Sequence, residues 1–110
     1  MDKKQSLEAL SALSQETRLD VFRLLVRVGA GGLCAGDIAS RLGVRQNTMS
    51  TNLLILSHAG LIRGVREGRN VRYVADLDGM RALLGYLLED CCGGQPEICQ
   101  PLLQEVACDV

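Results

Sequence analysis

Ala35-Gly36-Asp37-Ile38-Ala39-Ser40-Arg41-Leu42, then Gly43-Val44-Arg45, then Gln46-Asn47-Thr48-Met49-Ser50-Thr51-Asn52-Leu53-Leu54-Ile55-Leu56-Ser57-His58 is the stretch that decides the fold. In the first segment Ile38, Ala39 and Leu42 share a helical face. In the last, Met49, Leu53 and Leu56 recur at helical spacing. Gly43 stands where a left-handed residue ends a helix, and Gly60 stops the next one. Helix, three-residue turn and helix form a helix-turn-helix. Opposite its apolar stripe, the second helix carries Gln46, Asn47, Thr48, Ser50, Thr51 and Asn52, uncharged donors and acceptors of the kind that read base edges.

Immediately downstream, Leu61–Arg66 and Val71–Ala75 are β-prone runs around Glu67-Gly68-Arg69-Asn70, a hairpin signal. Val71, Tyr73 and Ala75 share one face of the second run, Asn70 and Arg72 the other. Between positions 45 and 72 there are five arginines (Arg45, Arg63, Arg66, Arg69, Arg72) against the single acid Glu67. A helix-turn-helix with a basic hairpin attached is a winged helix. Double-stranded operator DNA is its expected partner, with Arg63, Arg66, Arg69, Asn70 and Arg72 on phosphates or in the minor groove and Arg45 joining the reading helix.

Upstream, Leu7, Leu10 and Leu13 predict a short helix over 6–13. Ser14 is placed to cap a second one to about Val28, with Leu19, Phe22, Leu25 and Val26 inward. Gly29-Ala30-Gly31-Gly32 breaks the chain. Downstream, Asp78 to about Asp90 carries Met80, Leu83, Leu84, Tyr86, Leu87 and Leu88. These outer helices hold more apolar surface than one small core covers, so a homodimer is expected through Leu7, Leu10, Leu83, Tyr86 and Leu87. The expected fold class is mainly α with a small β-hairpin, a winged helix-turn-helix paired through its N- and C-terminal helices. The domain occupies 1–92, with a cysteine-containing tail over 93–110.

The net charge of −1 conceals a division. Residues 37–76 hold six arginines and three acids, whereas 77–110 hold Arg81 and six acids. No run is apolar enough to cross a membrane, and residues 1–6 lead into no signal-peptide core, so a cytoplasmic location is expected. In that reducing compartment the five cysteines are thiols or metal ligands rather than a disulfide framework.

Four of the five follow position 90. Cys91 and Cys92 are adjacent, with Cα atoms ~3.8 Å apart where a relaxed disulfide needs roughly 4.4 Å. Six residues including Gly93, Gly94 and Pro96 then lead to Cys99. Three converging sulfurs suit a soft, three-coordinate centre, trivalent arsenic or antimony. Adding Cys108 would give a four-sulfur site for zinc, cadmium or lead. Methylarsenite would need two of the thiols, and an oxidisable thiol switch is a further alternative. Cys34 is expected as a small buried residue, and His58 as a helix-end residue facing solvent or a carbonyl. Acidic Glu89 and Asp90 beside Cys91 discourage a nucleophilic thiolate, and no catalytic constellation or organic cofactor site is evident.

The element order resembles the ArsR/SmtB metal-responsive repressors over about residues 5–92. The resemblance extends to Ser14-Gln15-Glu16-Thr17-Arg18-Leu19, to Gly32-Leu33-Cys34-Ala35-Gly36-Asp37-Ile38-Ala39, and to His58-Ala59-Gly60-Leu61-Ile62. It implies a transcriptional repressor released from its operator by an ion, derepressing resistance genes. Members with a cysteine pair and a later cysteine past the dimer helix respond to arsenite, which implies Cys91, Cys92 and Cys99 as the site here. The chain departs from relatives that bind arsenite on the first helix of the helix-turn-helix, since only Cys34 stands there. In the reading helix, Arg45 and Asn52 replace frequent Ser and His.

Overall fold

The computed structural model describes residues 1–89. Helix α1 (Lys3–Leu13) starts at a reciprocal cap: Asp2 Oδ1 accepts from the Gln5 N–H, and Gln5 Oε1 accepts from the Asp2 N–H. Helix α2 (Glu16–Val28) is capped by Gln15, whose Oε1 accepts from the Arg18 N–H. Ser14 therefore ends α1 rather than starting α2, and its hydroxyl donates to Ser11 O. A single 3₁₀ turn over Gly29–Gly31 leads into β1 (Leu33–Cys34).

Helix α3 (Ala35–Leu42) ends at Gly43, whose φ of 65° lies in the left-handed region that a side chain disfavours. Helix α4 (Gln46–His58) follows, completing the expected helix-turn-helix at the expected boundaries. Strands β2 (Ile62–Glu67) and β3 (Asn70–Ala75) pair antiparallel around Gly68-Arg69, with Ile62 opposite Ala75 and Glu67 opposite Asn70. On the far side of β3, β1 pairs through Leu33–Tyr73 and Cys34–Arg72, so the sheet order is β1-β3-β2. Strand β1 is an addition to the expected hairpin, since two residues are too short for any alternation to announce. Helix α5 (Leu77–Leu87) is capped by Asp76, whose Oδ1 accepts from the Gly79 N–H.

The core is built from Val21, Phe22, Leu24 and Leu25 of α2, Ile38 of α3, and Met49, Leu53 and Leu56 of α4. Leu61, Ile62 and Leu83 close it. Each such side chain contributes about 1.5–3 kcal/mol of burial. Of the inner face expected for α2, Phe22 and Leu25 are inside, joined there by Val21 and Leu24, while Leu19 and Val26 are exposed. Helix α1 turns Ser6, Ala9 and Ala12 inward, because small residues let it approach α2 and α4 closely, and leaves Leu7 and Leu10 outside.

Of the residues expected between subunits, Leu83 is the correction. At 2% exposure it belongs to the protomer's own core. Tyr86 is half-buried, whereas Leu7 is 58% and Leu87 49% exposed. Leu84 is a further exposed leucine on α5, which packs against α1. Among the described residues no helix is long and apolar enough to cross a membrane.

Candidate nucleic-acid interface

Helix α4 presents two faces of opposite character. Met49, Asn52, Leu53 and Leu56 are buried against the rest of the domain. Gln46, Asn47, Thr48, Ser50 and Thr51 are exposed. The hydroxyls of Ser50 and Thr51 donate back to Gln46 O and Asn47 O, at 3.0 and 3.3 Å, so their free capacity toward solvent is as acceptors. Asn47 Oδ1 accepts from the Thr48 N–H at 2.8 Å, leaving its amide NH₂ to donate outward. Arg45 occupies the N-cap position in extended conformation without a side-chain cap, so the first turn of α4 offers backbone N–H donors beside an arginine. That combination attracts an anion.

Asn52, expected among the base readers, is corrected by the packing. It is 6% exposed, and its Oδ1 accepts from Arg18 Nη1 at 3.2 Å. Arg18 Nε also donates to Ala12 O at 2.7 Å, so one guanidinium joins the end of α1, the start of α2 and the inner face of α4. No local spacing announces this role of Arg18, because one partner lies across the turn between α1 and α2 and the other is 34 residues away on α4.

Arg72 is likewise engaged internally. Its Nε donates to Glu67 Oε1 at 2.9 Å, and its Nη1 to Gly31 O and Gly32 O at 3.0 and 3.2 Å. The hydrogen bond and charge of Glu67 raise its pKa further above the usual arginine value. The one acid of the hairpin and Arg72 thus neutralise each other while fastening the wing to the turn before β1.

Arg45, Arg63, Arg66 and Arg69 remain, exposed and without an acidic partner among the described residues. They are not on one face. Arg63 pairs across the ladder with Val74 and Arg66 with Val71, on opposite sides of the sheet, and Arg69 lies in the turn beside Asn70. Arg63 also lines a cleft of about 390 Å³ with Leu25, Val74, Asp76 and Arg81.

Cys34 is half-buried at the junction of β1 and α3, less enclosed than expected. His58 is exposed at the last turn of α4. Among the described residues no group of three or more His, Cys, Asp or Glu side chains is placed to hold a metal ion. Cys91, Cys92, Cys99 and Cys108 lie outside the described residues.

A family model described as a helix-turn-helix domain matches residues 13–65. The uncharacterized HTH-type transcriptional regulator YbzH of Bacillus subtilis is 30% identical over 76% of this chain and 95% of its own. The Halobacterium salinarum regulator ArsR2 is 32% identical over 71% of this chain, which spans 64% of that longer protein. Among solved structures, an ArsR-like transcriptional regulator from Rhodococcus superposes with a TM-score of 0.69 at 25% identity, covering 97% of this chain and 96% of that one. The antimony-specific transcriptional repressor AntR superposes with a TM-score of 0.56 at 31% identity, covering 79% and 78%. Fold, element order and relatives agree, and the chain belongs to the ArsR family of winged helix-turn-helix transcriptional regulators, DNA-binding proteins rather than enzymes.

Proposed function

We propose that this chain is a cytoplasmic, homodimeric repressor that leaves its operator when trivalent arsenic or antimony binds Cys91, Cys92 and Cys99. The observation that carries the DNA-binding part is the exposed polar face of α4, with Arg45 at its N-cap and Arg66 and Arg69 exposed on the wing that follows, none of them paired with an acid among the described residues. Gln46, Asn47, Thr48, Ser50 and Thr51 would read bases, and Arg66 and Arg69 would grip the phosphate backbone on the wing. Exposed Leu7, Leu10, Leu84 and Leu87, on two helices that pack together, support pairing of two protomers. The ligand reading rests on the thiol pattern in the sequence and on the likeness to AntR, described as antimony-specific, and to ArsR2, named for an arsenical resistance operon.

Soft thiolates favour a soft trivalent acceptor over hard ions. Such a ligand releases DNA only through tighter binding to the DNA-incompetent dimer. Moving the equilibrium from 1:99 to 99:1 takes about 5.5 kcal/mol of that preference.

The test titrates the reduced protein on its promoter DNA with antimonite, arsenite, zinc and methylarsenite. Arsenite and antimonite are expected to release the wild type, while Cys92→Ser binds DNA normally and stays bound. Release of Cys92→Ser by arsenite overturns the site. Release abolished by Cys108→Ser reassigns it to a four-thiolate metal, and release by peroxide alone reassigns it to a redox switch.

For the wing, the double change Arg66→Ala with Arg69→Ala is expected to flatten the dependence of log affinity on log salt. The slope falls by about 0.9 for each phosphate that is no longer neutralised, while Arg81→Ala leaves it unchanged. Arg81 is the control because Asp78 already holds it on α5 at 2.9 Å. An unaltered slope in the double variant removes the wing from the DNA interface.

A further inference from the structure

Leu54 is 56% exposed, and an exposed leucine alone means little. Its position on α4 is what counts. At about 100° per residue, the seven positions from Asn47 to Leu54 bring the two side chains within about 20° of one another around the helix. Ser50 and Thr51 complete an i, i+3, i+4, i+7 stripe with them. Met49, Asn52, Leu53 and Leu56, all buried, define the opposite side. An apolar side chain thus stands on the midline of the outward face, one turn beyond two hydroxyls, where the domain leaves more than half of it exposed.

We infer that Leu54 is a specificity-determining residue that packs on the 5-methyl group of a thymine in the major groove. This rests on α4 being the reading helix. The groove wall is otherwise lined by donors and acceptors, for which Asn47, Ser50 and Thr51 are the matching groups. The thymine methyl is the apolar feature it offers, and a branched aliphatic side chain is its complement. Leu54 therefore selects T·A over C·G at one position of each half-site, inward of the bases reached by the first turn of α4.

The experiment selects a preferred site from a random double-stranded DNA pool with the full-length protein. Each thymine is then replaced singly by deoxyuridine, which deletes the methyl and keeps every hydrogen-bonding group. Wild-type protein is expected to lose about fourfold in affinity at one thymine of each half-site, the worth of one buried methyl group. Leu54→Ala is expected to be indifferent to the same replacement. The inference is overturned if no thymine shows a methyl dependence that Leu54→Ala removes. It is equally overturned if Leu54→Ala shifts the dimer to monomer, which would place Leu54 between subunits. Asn47→Ala separates the two levels. A changed site preference for Asn47→Ala with a silent Leu54→Ala defeats the Leu54 inference alone, and no change in either variant defeats α4 as reader.

Discussion

Gly79→Ala is expected to lower the unfolding temperature by roughly 12–24 °C, the equivalent of about 3 kcal/mol in a domain of this size. Intrinsic propensity argues the other way, because alanine within a helix is favoured over glycine by about 1 kcal/mol. The environment decides the sign. A Cβ on Gly79 would overlap the carbonyl oxygen of Gly60, and backbone cannot swing away as a flexible side chain can. Around this contact Asp76 N–H donates to Leu61 O at 2.8 Å, and Gly79 N–H donates to Asp76 Oδ1 at 3.1 Å. The start of α5 is therefore seated against the turn that ends α4, with no room for a methyl group. Gly36, in the first turn of α3, supplies the comparison, since a Cβ there meets only Gln46 Nε2 at 3.9 Å. Gly36→Ala is expected to raise stability by about 0.5–1 kcal/mol. Thermal unfolding followed by circular dichroism at one protein concentration measures both, the fixed concentration removing any effect of pairing. Equal melting of Gly79→Ala and wild type would contradict the seating of α5 described above.

What the sequence discloses and what it hides divide along a physical line. The helix-turn-helix is legible because its signals are local. Gly43 ends α3, Met49, Leu53 and Leu56 mark one face of α4, and a glycine turn joins two β-prone runs. Faces of the flanking helices are less legible, because a leucine does not say which neighbour covers it. On α1 the inward residues are Ser6, Ala9 and Ala12, chosen by the closeness of packing, and Leu7 and Leu10 point away. On α5 the reverse holds for Leu83, which fills the protomer core. Charge is legible as a total and not as a set of free groups. Of the five arginines between 45 and 72, Arg72 is committed to Glu67 and to the carbonyls of Gly31 and Gly32 through a pairing with β1 that no local pattern reveals. Leu54 is obscured for a related reason. Reading a leucine as core is a sound habit along α4 at Leu53 and Leu56, and it fails at the position that the helical period carries to the other side.

Arg18→Met is expected to cost about 3 kcal/mol, and its coupling with Asn52→Leu identifies the cause. Methionine retains most of the aliphatic volume of arginine, so the loss is of hydrogen bonds rather than packing. Two acceptors are orphaned together: Ala12 O, at the exit of α1, and Asn52 Oδ1, on the buried side of α4. An unsatisfied buried acceptor costs about 1–3 kcal/mol, more than the bond itself contributed, because it has given up water and received nothing. Asn52→Leu alone leaves the guanidinium short of one acceptor and is also destabilising. With Arg18→Met present, Asn52→Leu removes one orphan and replaces it with apolar surface. The double variant is therefore expected to recover about 1–2 kcal/mol relative to the sum of the single losses. Urea unfolding of the four proteins closes this cycle, and strict additivity would show that the two residues do not act as a pair. DNA binding supplies the complementary reading. Because Asn52 faces Arg18 and not solvent, Asn52→Leu in its folded fraction is expected to keep the wild-type base preference, whereas Asn47→Ala, on the exposed face, is expected to alter it.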